Sequence, residues 1–350
     1  MNAIQPSRSL PSLKNNGNTA PFSTCLERDG WLHCQQPADD SFLGWSTLVH
    51  LDHMQLDVFT DVPFGGSRLT LFPDGHGLST GLMQIIAREM GTCETAFVIQ
   101  DDDRIRLRIF TPSAEIPHSG LSLVGATCGL HQTGQLANAD QDHVTWTTEA
   151  GLFPVVMEHS NGSTLYSLVL EPAEFIGEYY QRSKVARALG ISEKDIAITG
   201  LPCEIVTTGL PIHIVPVGSL EAVRSIELSR AAAAEIVRDL GFGDLFVFTC
   251  EAENADVHCR MFAHDFGIPE DAATGSASGA LIAYMIKHRL VRPEPRVRIE
   301  IEQGIEMGRP SRLVAEADVS SGLARSIRVG GHCIKIGEGR LSFNADDIVG

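Results

Sequence analysis

The 350-residue sequence is short of basic side chains, with 27 lysines and arginines against 44 aspartates and glutamates. Its formal net charge of −17 opposes the phosphate backbone that a nucleic-acid-binding protein must neutralise, so we expect no nucleic-acid partner. The sequence also lacks an apolar run of roughly 18 residues, which a membrane helix requires, and the basic-then-apolar order of a signal peptide. We therefore expect a cytoplasmic protein that contacts no membrane.

The cysteines lack the spacing of a disulfide scaffold or a structural zinc site. No Cys-x-x-Cys pair occurs among the eight, which are Cys25, Cys34, Cys93, Cys128, Cys203, Cys250, Cys259 and Cys333. We interpret them as reduced and mostly buried. The nearest approach to a metal cluster is His258-Cys259 with His264-Asp265, but adjacent residues of a strand point to opposite faces, so we expect no metal there.

Regular apolar periodicity begins at Met54, after a polar segment without a repeating pattern. We expect residues 1–52 to form an N-terminal extension that is poorly ordered or peripheral to the core. Residues 79–90 are predicted to form a helix that Ser79 caps and Gly91 ends, and a helix after Ser229 ends at Gly241 in the same way. Residues 54–60 and 104–110 are predicted to be strands.

An internal repeat is the most informative feature of the sequence. Arg108-Ile109-Phe110 is followed by Ile116-Pro117, and Arg260-Met261-Phe262 is followed at the same spacing by Ile268-Pro269. Each copy then runs into a turn of small residues and an apolar helix. The repeat predicts two similar α+β halves, at 53–185 and 186–350, with a small-molecule site in the cleft between them. We leave open whether the last strands return to the first half.

Two carboxylates are candidate catalytic residues, and two glycine-containing turns are candidate anion-binding sites. Glu94 lies among apolar and small residues at the mouth of a predicted strand, where desolvation raises a carboxyl pKa toward neutral pH. Asp271 precedes the second turn. Gly275-Ser276 and Ser119-Gly120 start the apolar helices, where backbone N–H groups can hold an anion. The residues alone also allow a capping carboxylate at a sheet edge and glycines that merely permit close packing.

Five motifs follow one another in a distinctive order. They are Pro63-Phe64 with its glycine turn, Glu94-Thr95-Ala96-Phe97-Val98, Arg108-Ile109-Phe110-Thr111-Pro112 with Glu115-Ile116-Pro117, Glu270-Asp271-Ala272-Ala273-Thr274-Gly275-Ser276-Ala277, and Glu302-Gln303-Gly304 with Glu306-Met307-Gly308-Arg309-Pro310-Ser311. Together they resemble the PhzF family of phenazine-biosynthesis-like isomerases. The resemblance implies a diaminopimelate-epimerase-like α+β fold, in which each of two pseudo-symmetric halves wraps a curved, mostly antiparallel sheet around a central helix. It also implies a homodimer without a metal or organic cofactor.

The resemblance further implies a cofactor-independent isomerase that moves a proton within a small unsaturated or cyclic carboxylate. In this family the glutamate of the Glu-Thr-x-Phe-Val motif moves the proton, which assigns that role to Glu94. The aspartate of the Glu-Asp-x-Ala-Thr-Gly-Ser-Ala motif assists and orients the substrate, which corresponds to Asp271. Gly275 and Ser276 are then expected to bind the substrate carboxylate, with Gly120 opposite them.

Two positions depart from the family pattern. The family commonly has Ala-Gly-His-Pro where this chain has Ser119-Gly120-Leu121-Ser122, and Gly-Asn-Pro where it has Gly66-Ser67-Arg68. Leu121 and Ser67 are therefore expected to be substrate-binding residues that change what the pocket accepts. Since a leucine donates no hydrogen bond, we expect that the substrate is not the phenazine precursor.

Two alternative functions remain on the sequence alone. A racemase or epimerase of the same fold uses two cysteines as acid and base, but the corresponding positions hold Ser119 and Thr274, whose hydroxyls are too weakly acidic. A non-catalytic protein that binds small carboxylates is the other alternative. It is not favoured, because a pure binder gains nothing from a desolvated carboxylate such as Glu94.

Overall fold

The computed structural model describes residues 25–28, 31–34, 48–101, 104–136, 142–160, 162–263, 268–292 and 294–344. Strands β1 (Cys25–Arg28) and β2 (Trp31–Cys34) form an antiparallel pair. The remaining elements form two halves of mixed α+β structure, as predicted.

The elements of the first half are β3 (Leu48–Val58), β4 (Ser67–Phe72), α1 (Thr80–Met90), β5 (Glu94–Asp101), β6 (Arg104–Phe110), β7 (Glu115–Ile116), α2 (Gly120–Gln132), β8 (His143–Thr148), β9 (Gly151–Ser160) and β10 (Ser163–Leu170). Those of the second half are β11 (Glu174–Glu178), α3 (Arg182–Leu189), α4 (Glu193–Ala197), β12 (Glu204–Thr207), β13 (Pro211–Pro216), α5 (Leu220–Arg224), α6 (Arg230–Leu240), β14 (Leu245–Thr249), β15 (Val257–Ala263), β16 (Ile268–Asp271), α7 (Gly275–Lys287), β17 (Arg296–Gln303), β18 (Ser311–Ser320) and β19 (Leu323–Gly331). The final strand is β20 (Cys333–Asn344).

The two halves share one strand order. The first runs β20-β3-β4-β5-β6-β8-β9-β10, and the second runs β11-β12-β13-β14-β15-β17-β18-β19. In each half the third and fourth strands are parallel, as are the fifth and sixth, and the other pairs are antiparallel. β10 pairs with β19 and joins the halves, while β20 returns to pair with β3. The sequence repeat therefore corresponds to a repeated topology.

One helix occupies the centre of each half. α2 and α7 both have 13 residues and are buried along most of their length, which fits helices that are apolar on all sides. Small residues allow the sheet to approach. A Cβ atom on Gly125 would lie 2.4 Å from Leu69 Cδ2, and one on Gly279 would lie 2.3 Å from Leu170 Cδ1. Larger residues at these positions would push the helices away from the strands.

The outer helices end as the sequence predicts. Ser79 caps α1 by accepting a hydrogen bond from the Leu82 N–H, and Ser229 caps α6 in the same way. Gly91 and Gly241 end these helices in the left-handed conformation, at φ of 60° and 81°. Both helix predictions are confirmed.

Some predicted boundaries differ from the elements observed. β3 begins at Leu48 rather than at Met54, so the 52/53 boundary falls inside a strand that β20 holds in place. The 185/186 boundary falls inside α3, which begins at Arg182 after a strand that ends at Glu178. None of the helices in the described ranges is long and apolar enough to cross a membrane.

Candidate active site

Glu94 opens β5 and directs its carboxylate toward the start of α2. The Ser119 hydroxyl donates to its Oε1 atom at 2.8 Å, and the Ser122 hydroxyl donates to Oε2 at 2.6 Å. Burial raises the pKa of Glu94 to about 7, although both serine hydroxyls lower it, and the charge of nearby Asp271 raises it further. The predicted upward shift of the Glu94 pKa is confirmed, so this carboxyl can accept and release a proton near neutral pH.

Asp271 ends β16 directly before the start of α7. Burial raises its pKa, while the Thr274 hydroxyl, which donates to Oδ2 at 2.7 Å, lowers it. The Gln303 amide holds this turn by donating to the Asp271 carbonyl at 2.8 Å and to the Thr274 hydroxyl at 3.0 Å. The charge of Asp271 raises the pKa of Glu94, so the two predicted catalytic residues lie near each other in the structure.

The starts of the two central helices lie beside these carboxylates. The N-cap residues Ser119 and Thr274 make no side-chain hydrogen bond to the first turn of their helices, because their hydroxyls donate to Glu94 and Asp271 instead. A Cβ atom on the neighbouring Gly120 or Gly275 would meet only ordinary contacts, at 3.6 Å or more. The first-turn N–H groups of α7 therefore lack a capping side chain and can receive a carboxylate, whereas in α2 the Ser122 N–H already interacts with Glu94.

Ser276 and Ser67 border the same region. Ser276 follows Gly275 in the first turn of α7 and is partly exposed. Ser67 is buried at the start of β4, near enough to Asp271 for its hydroxyl to lower the pKa of that carboxyl. Its Oγ atom nevertheless has no partner at normal hydrogen-bond distance in the described structure. Ser67 thus offers a polar atom beside Asp271, and its contact with substrate stays a prediction.

Leu121 lies in the first turn of α2 and is 8% exposed. Its side chain packs in the central hydrophobic core, so it presents little surface to a ligand. The structure therefore places it next to Gly120 but mainly within the core. Its role as a substrate contact stays a prediction.

A cleft of about 580 Å³ lies between the halves. The first half contributes Gly66, Ser67, Arg68, Gly91, Thr92, Cys93, Thr111, Pro112 and Ser113, and the second contributes Pro269, Glu270, Asp271, Ala272, Met307 and Arg309. The sequence analysis missed three residues that hydrogen-bond to Glu94 or Asp271, namely Ser122, Thr274 in its contact with Asp271, and Gln303. Ser122 could have been considered together with Ser119, because residues three apart share a helix face.

His258 belongs to a separate buried cluster. Its Nδ1 atom lies 2.9 Å from Glu302 Oε1 and its Nε2 atom 3.0 Å from Glu306 Oε1. Burial lowers the pKa of His258, but the two glutamates outweigh it and the net shift is upward. His264 and Asp265 lie outside the described residues. Within those residues, no group of three or more His, Cys, Asp and Glu is arranged to hold a metal ion.

A family model described as a phenazine biosynthesis-like protein, PhzC-PhzF, matches residues 56–339. The chain belongs to this family. A trans-2,3-dihydro-3-hydroxyanthranilate isomerase of Pseudomonas aeruginosa is 31% identical over 82% of this chain and 98% of its own length. An uncharacterized isomerase of Mesorhizobium japonicum is 32% identical over 83% of this chain and 98% of its own length.

A solved PhzF-family structure shares the fold. The phenazine biosynthesis protein of Bacillus anthracis superimposes with a TM-score of 0.77 at 24% identity, covering 84% of this chain and 99% of its own. The present protein is thus a PhzF-family isomerase, and the predictions of family, fold and isomerase activity are confirmed. The roles assigned to individual site residues stay predictions.

Proposed function

We propose that this PhzF-family isomerase moves a proton between two carbon atoms of a small unsaturated or cyclic carboxylate, without a cofactor and with Glu94 as the proton carrier. The observation that carries the proposal is the state of Glu94. Its carboxyl has a pKa of about 7 and is held at both oxygens by Ser119 and Ser122. A group that titrates near the working pH can both remove a proton and return it.

The proposed reaction has two steps. The Glu94 carboxylate removes a proton from a carbon next to the unsaturated system, and the electron pair of the broken C–H bond enters that system. Glu94 then returns the proton to another carbon, so the double bonds move and no oxidant or reductant is needed. The substrate carboxylate lies against the N–H groups at Gly120 and Gly275-Ser276, where both helix dipoles stabilise the developing negative charge. Asp271, held by Thr274, orients the substrate.

Proton exchange tests this proposal. Candidate unsaturated carboxylates incubated with the protein in D₂O are expected to take up deuterium, which NMR detects. Glu94→Gln keeps the side-chain shape but cannot exchange a proton at this position, so uptake should fall by about 10²–10⁴-fold while the fold is retained. Glu89→Gln changes an exposed glutamate of α1 and serves as the matched control. Near-wild-type exchange by the Glu94→Gln protein would remove Glu94 from the mechanism.

The same assay separates the alternative functions. A non-catalytic carboxylate-binding protein would broaden the ligand signals without deuterium uptake. A two-base racemase is not supported, because the hydroxyls of Ser119 and Thr274 both donate to carboxylates and cannot act as thiol acid and base.

We infer that the substrate differs from trans-2,3-dihydro-3-hydroxyanthranilate, the compound in the name of the Pseudomonas aeruginosa relative. Leu121 offers no hydrogen bond, and leaving a substrate hydroxyl or amine buried and unpaired costs about 1–3 kcal/mol. Wild-type protein should turn this compound over poorly, and Leu121→His should raise the rate. Turnover equal to that of the relative would contradict the inference and would show that a side chain buried in the core does not select the substrate.

We further propose that the protein acts in the cytoplasm as a homodimer. Six cysteines are free thiols, which suits a reducing compartment; they are Cys93, Cys128, Cys203, Cys250, Cys259 and Cys333. Light scattering of the purified protein is expected to give twice the 37.9 kDa of one chain.

A further inference from the structure

The cleft between the halves contains an arginine that the proposed mechanism does not use. Its lining includes two basic side chains, Arg68 and Arg309. Arg309 is neutralised, because its Nη2 atom lies 2.6 Å from the carboxylate of buried Asp57 and also donates to the Gly65 carbonyl. Arg68 is exposed, and no acidic side chain in the described part of the chain lies within ion-pair distance of it.

The acidic side chains of the lining are already occupied. Glu270 is bound by both Nε and Nη2 of Arg260, at 2.8 and 2.9 Å. Asp271 accepts the Thr274 hydroxyl and lies near Glu94. Arg68 therefore supplies a positive charge to the cleft, and no carboxylate of the described residues forms an ion pair with it.

The cleft lining places Arg68 together with Asp271, and the sheet register places it beside Cys93. Strands β4 and β5 are parallel, with Leu69 opposite Glu94. Arg68 and Cys93 are each one residue earlier, so they are neighbours across the two strands, and both line the cleft. Because side chains one residue apart on a strand point to opposite faces, Arg68 leaves β4 on the face opposite to Leu69 and Glu94. A group bound by Arg68 therefore shares the cleft with Asp271, the second proposed site residue.

We propose that Arg68 binds a second carboxylate of the substrate, which makes small unsaturated dicarboxylic acids the substrate class. This inference rests on the proposed function, in which the first carboxylate lies at the starts of α2 and α7. A guanidinium presents two parallel N–H donors that match the two oxygens of a carboxylate. The second carboxylate would otherwise be repelled by Glu94 and Asp271, and the charge of Arg68 offsets that repulsion.

Matched ligand pairs test the assignment by isothermal titration calorimetry. The probes are trans-glutaconate, itaconate and a cyclohexene dicarboxylate, each compared with its monomethyl esters, which lack one charge. The wild type is expected to bind at least one diacid about tenfold or more tightly than its ester. Arg68→Gln should abolish that preference and Arg68→Lys should retain part of it. Arg325→Gln, which changes an exposed arginine outside the cleft lining, should leave the preference intact.

The assignment is overturned if the wild type binds every diacid no more tightly than its esters, or if Arg68→Gln leaves the preference unchanged. Its failure is distinguishable from failure of the proposed function. A diacid preference without deuterium uptake rejects the proton-shift function and retains the assignment of Arg68. Uptake into monocarboxylates that Arg68→Gln does not alter rejects Arg68 and retains the function.

Cys93 provides a second readout that needs no substrate. If Arg68 attracts a carboxylate in the cleft, the ratio of the iodoacetate rate to the iodoacetamide rate should be higher at Cys93 than at Cys250, which is also exposed. Arg68→Gln should remove this difference. Equal relative rates at the two cysteines in the wild type would count against the assignment.

Discussion

Glu94 and Asp271 are close enough for the charge of Asp271 to raise the pKa of Glu94, and burial raises the pKa of both. Each carboxylate also accepts hydrogen bonds from hydroxyls at the start of a central helix, which lower its pKa. Glu94 therefore keeps its proton up to about pH 7, whereas a glutamate in water loses it near pH 4.5. A carboxyl that titrates near pH 7 can act first as a base and then as an acid.

The pH dependence of turnover follows from these shifts. In the proposed mechanism the base is the Glu94 carboxylate, so kcat/KM should rise with pH and reach half its plateau near pH 7. Asp271→Asn removes the neighbouring charge and should move this midpoint to lower pH, whatever it does to the maximal rate. Deuterium uptake measured from about pH 5 to 9 gives both profiles. A wild-type midpoint near the ordinary glutamate pKa of 4.5 would contradict this account.

The raised pKa of Glu94 also makes the free energy of unfolding depend on pH. Because the folded-state pKa of about 7 exceeds the unfolded value of 4.5, folding favours the protonated carboxyl. The contribution of Glu94 to stability therefore declines as the pH rises from 4.5 to 7. The ionised form of Glu94, which the proposed mechanism requires, makes the fold less stable than the protonated form does.

Among the elements, the strand and turn before each central helix contain an arginine–glutamate ion pair of the same kind. Arg108 binds Glu115 through two hydrogen bonds of 2.8 and 2.7 Å, and its guanidinium lies 5.3 Å from the Phe110 ring centroid. Arg260 binds Glu270 with the same geometry and lies 5.0 Å from the ring of Phe262. Each ion pair fixes the short strand that leads to a helix start.

The glutamates of the two ion pairs do not occupy the same position in the two copies of the sequence repeat. Glu115 precedes its Ile-Pro pair, whereas Glu270 follows Ile268-Pro269. β15 and β16 also have a register shift, between Met261 and Ala263, that β6 and β7 lack. The two arginines are equivalent, but their partners come from different positions in the motif.

The two ion pairs are expected to differ in their effect on stability. The Arg260 side chain is 8% exposed and also donates to the carbonyls of Val223 and Ile226, whereas that of Arg108 is 22% exposed. Arg260→Gln leaves a carboxylate and two carbonyls without their partner and should cost about 3 kcal/mol or more. Arg108→Gln should cost about 1 kcal/mol or less. Urea unfolding of the two variants measures the difference, and equal costs would show that burial does not distinguish the pairs.

At the scale of the molecule, the halves are joined by strand pairing and by a buried charge. β10 and β19 pair from Tyr166–Gly331 to Leu170–Ile327, which links the two sheets. Near the cleft, Arg309 of the second half reaches Asp57 of the first, and Asp57 is fully buried. These contacts hold the two helix starts in the relative position that the candidate site requires.

The Asp57–Arg309 pair can be tested by a double-mutant cycle. Arg309→Gln removes the ionic partner of a buried carboxylate and should destabilise the protein by about 3–5 kcal/mol. The double variant with Asp57→Asn should be more stable than Arg309→Gln alone, because no buried charge remains without a partner. Urea unfolding gives all four free energies of unfolding. Additive costs would show that the pair does not couple the halves.

The sequence by itself determined the features that depend on near neighbours. Ser79 and Gly91 bound α1 through contacts within four residues, so their chemistry alone predicts the helix ends. The repeat and the motif order identified the two halves and the family. The apolar surroundings of Glu94 were enough to predict the upward shift of its pKa.

Only the tertiary structure decided the contacts between segments far apart in the chain. Ser119 and Ser122 hold Glu94 from 25 and 28 residues away, Leu121 turns mainly into the core, and β20 pairs with β3. Such contacts depend on how the strands and helices pack to bury their apolar faces together. The pattern of neighbouring residues in the sequence does not predict this packing. Residue types near a site can therefore be predicted from the sequence, whereas the partners of each polar atom follow from the packing of the whole chain.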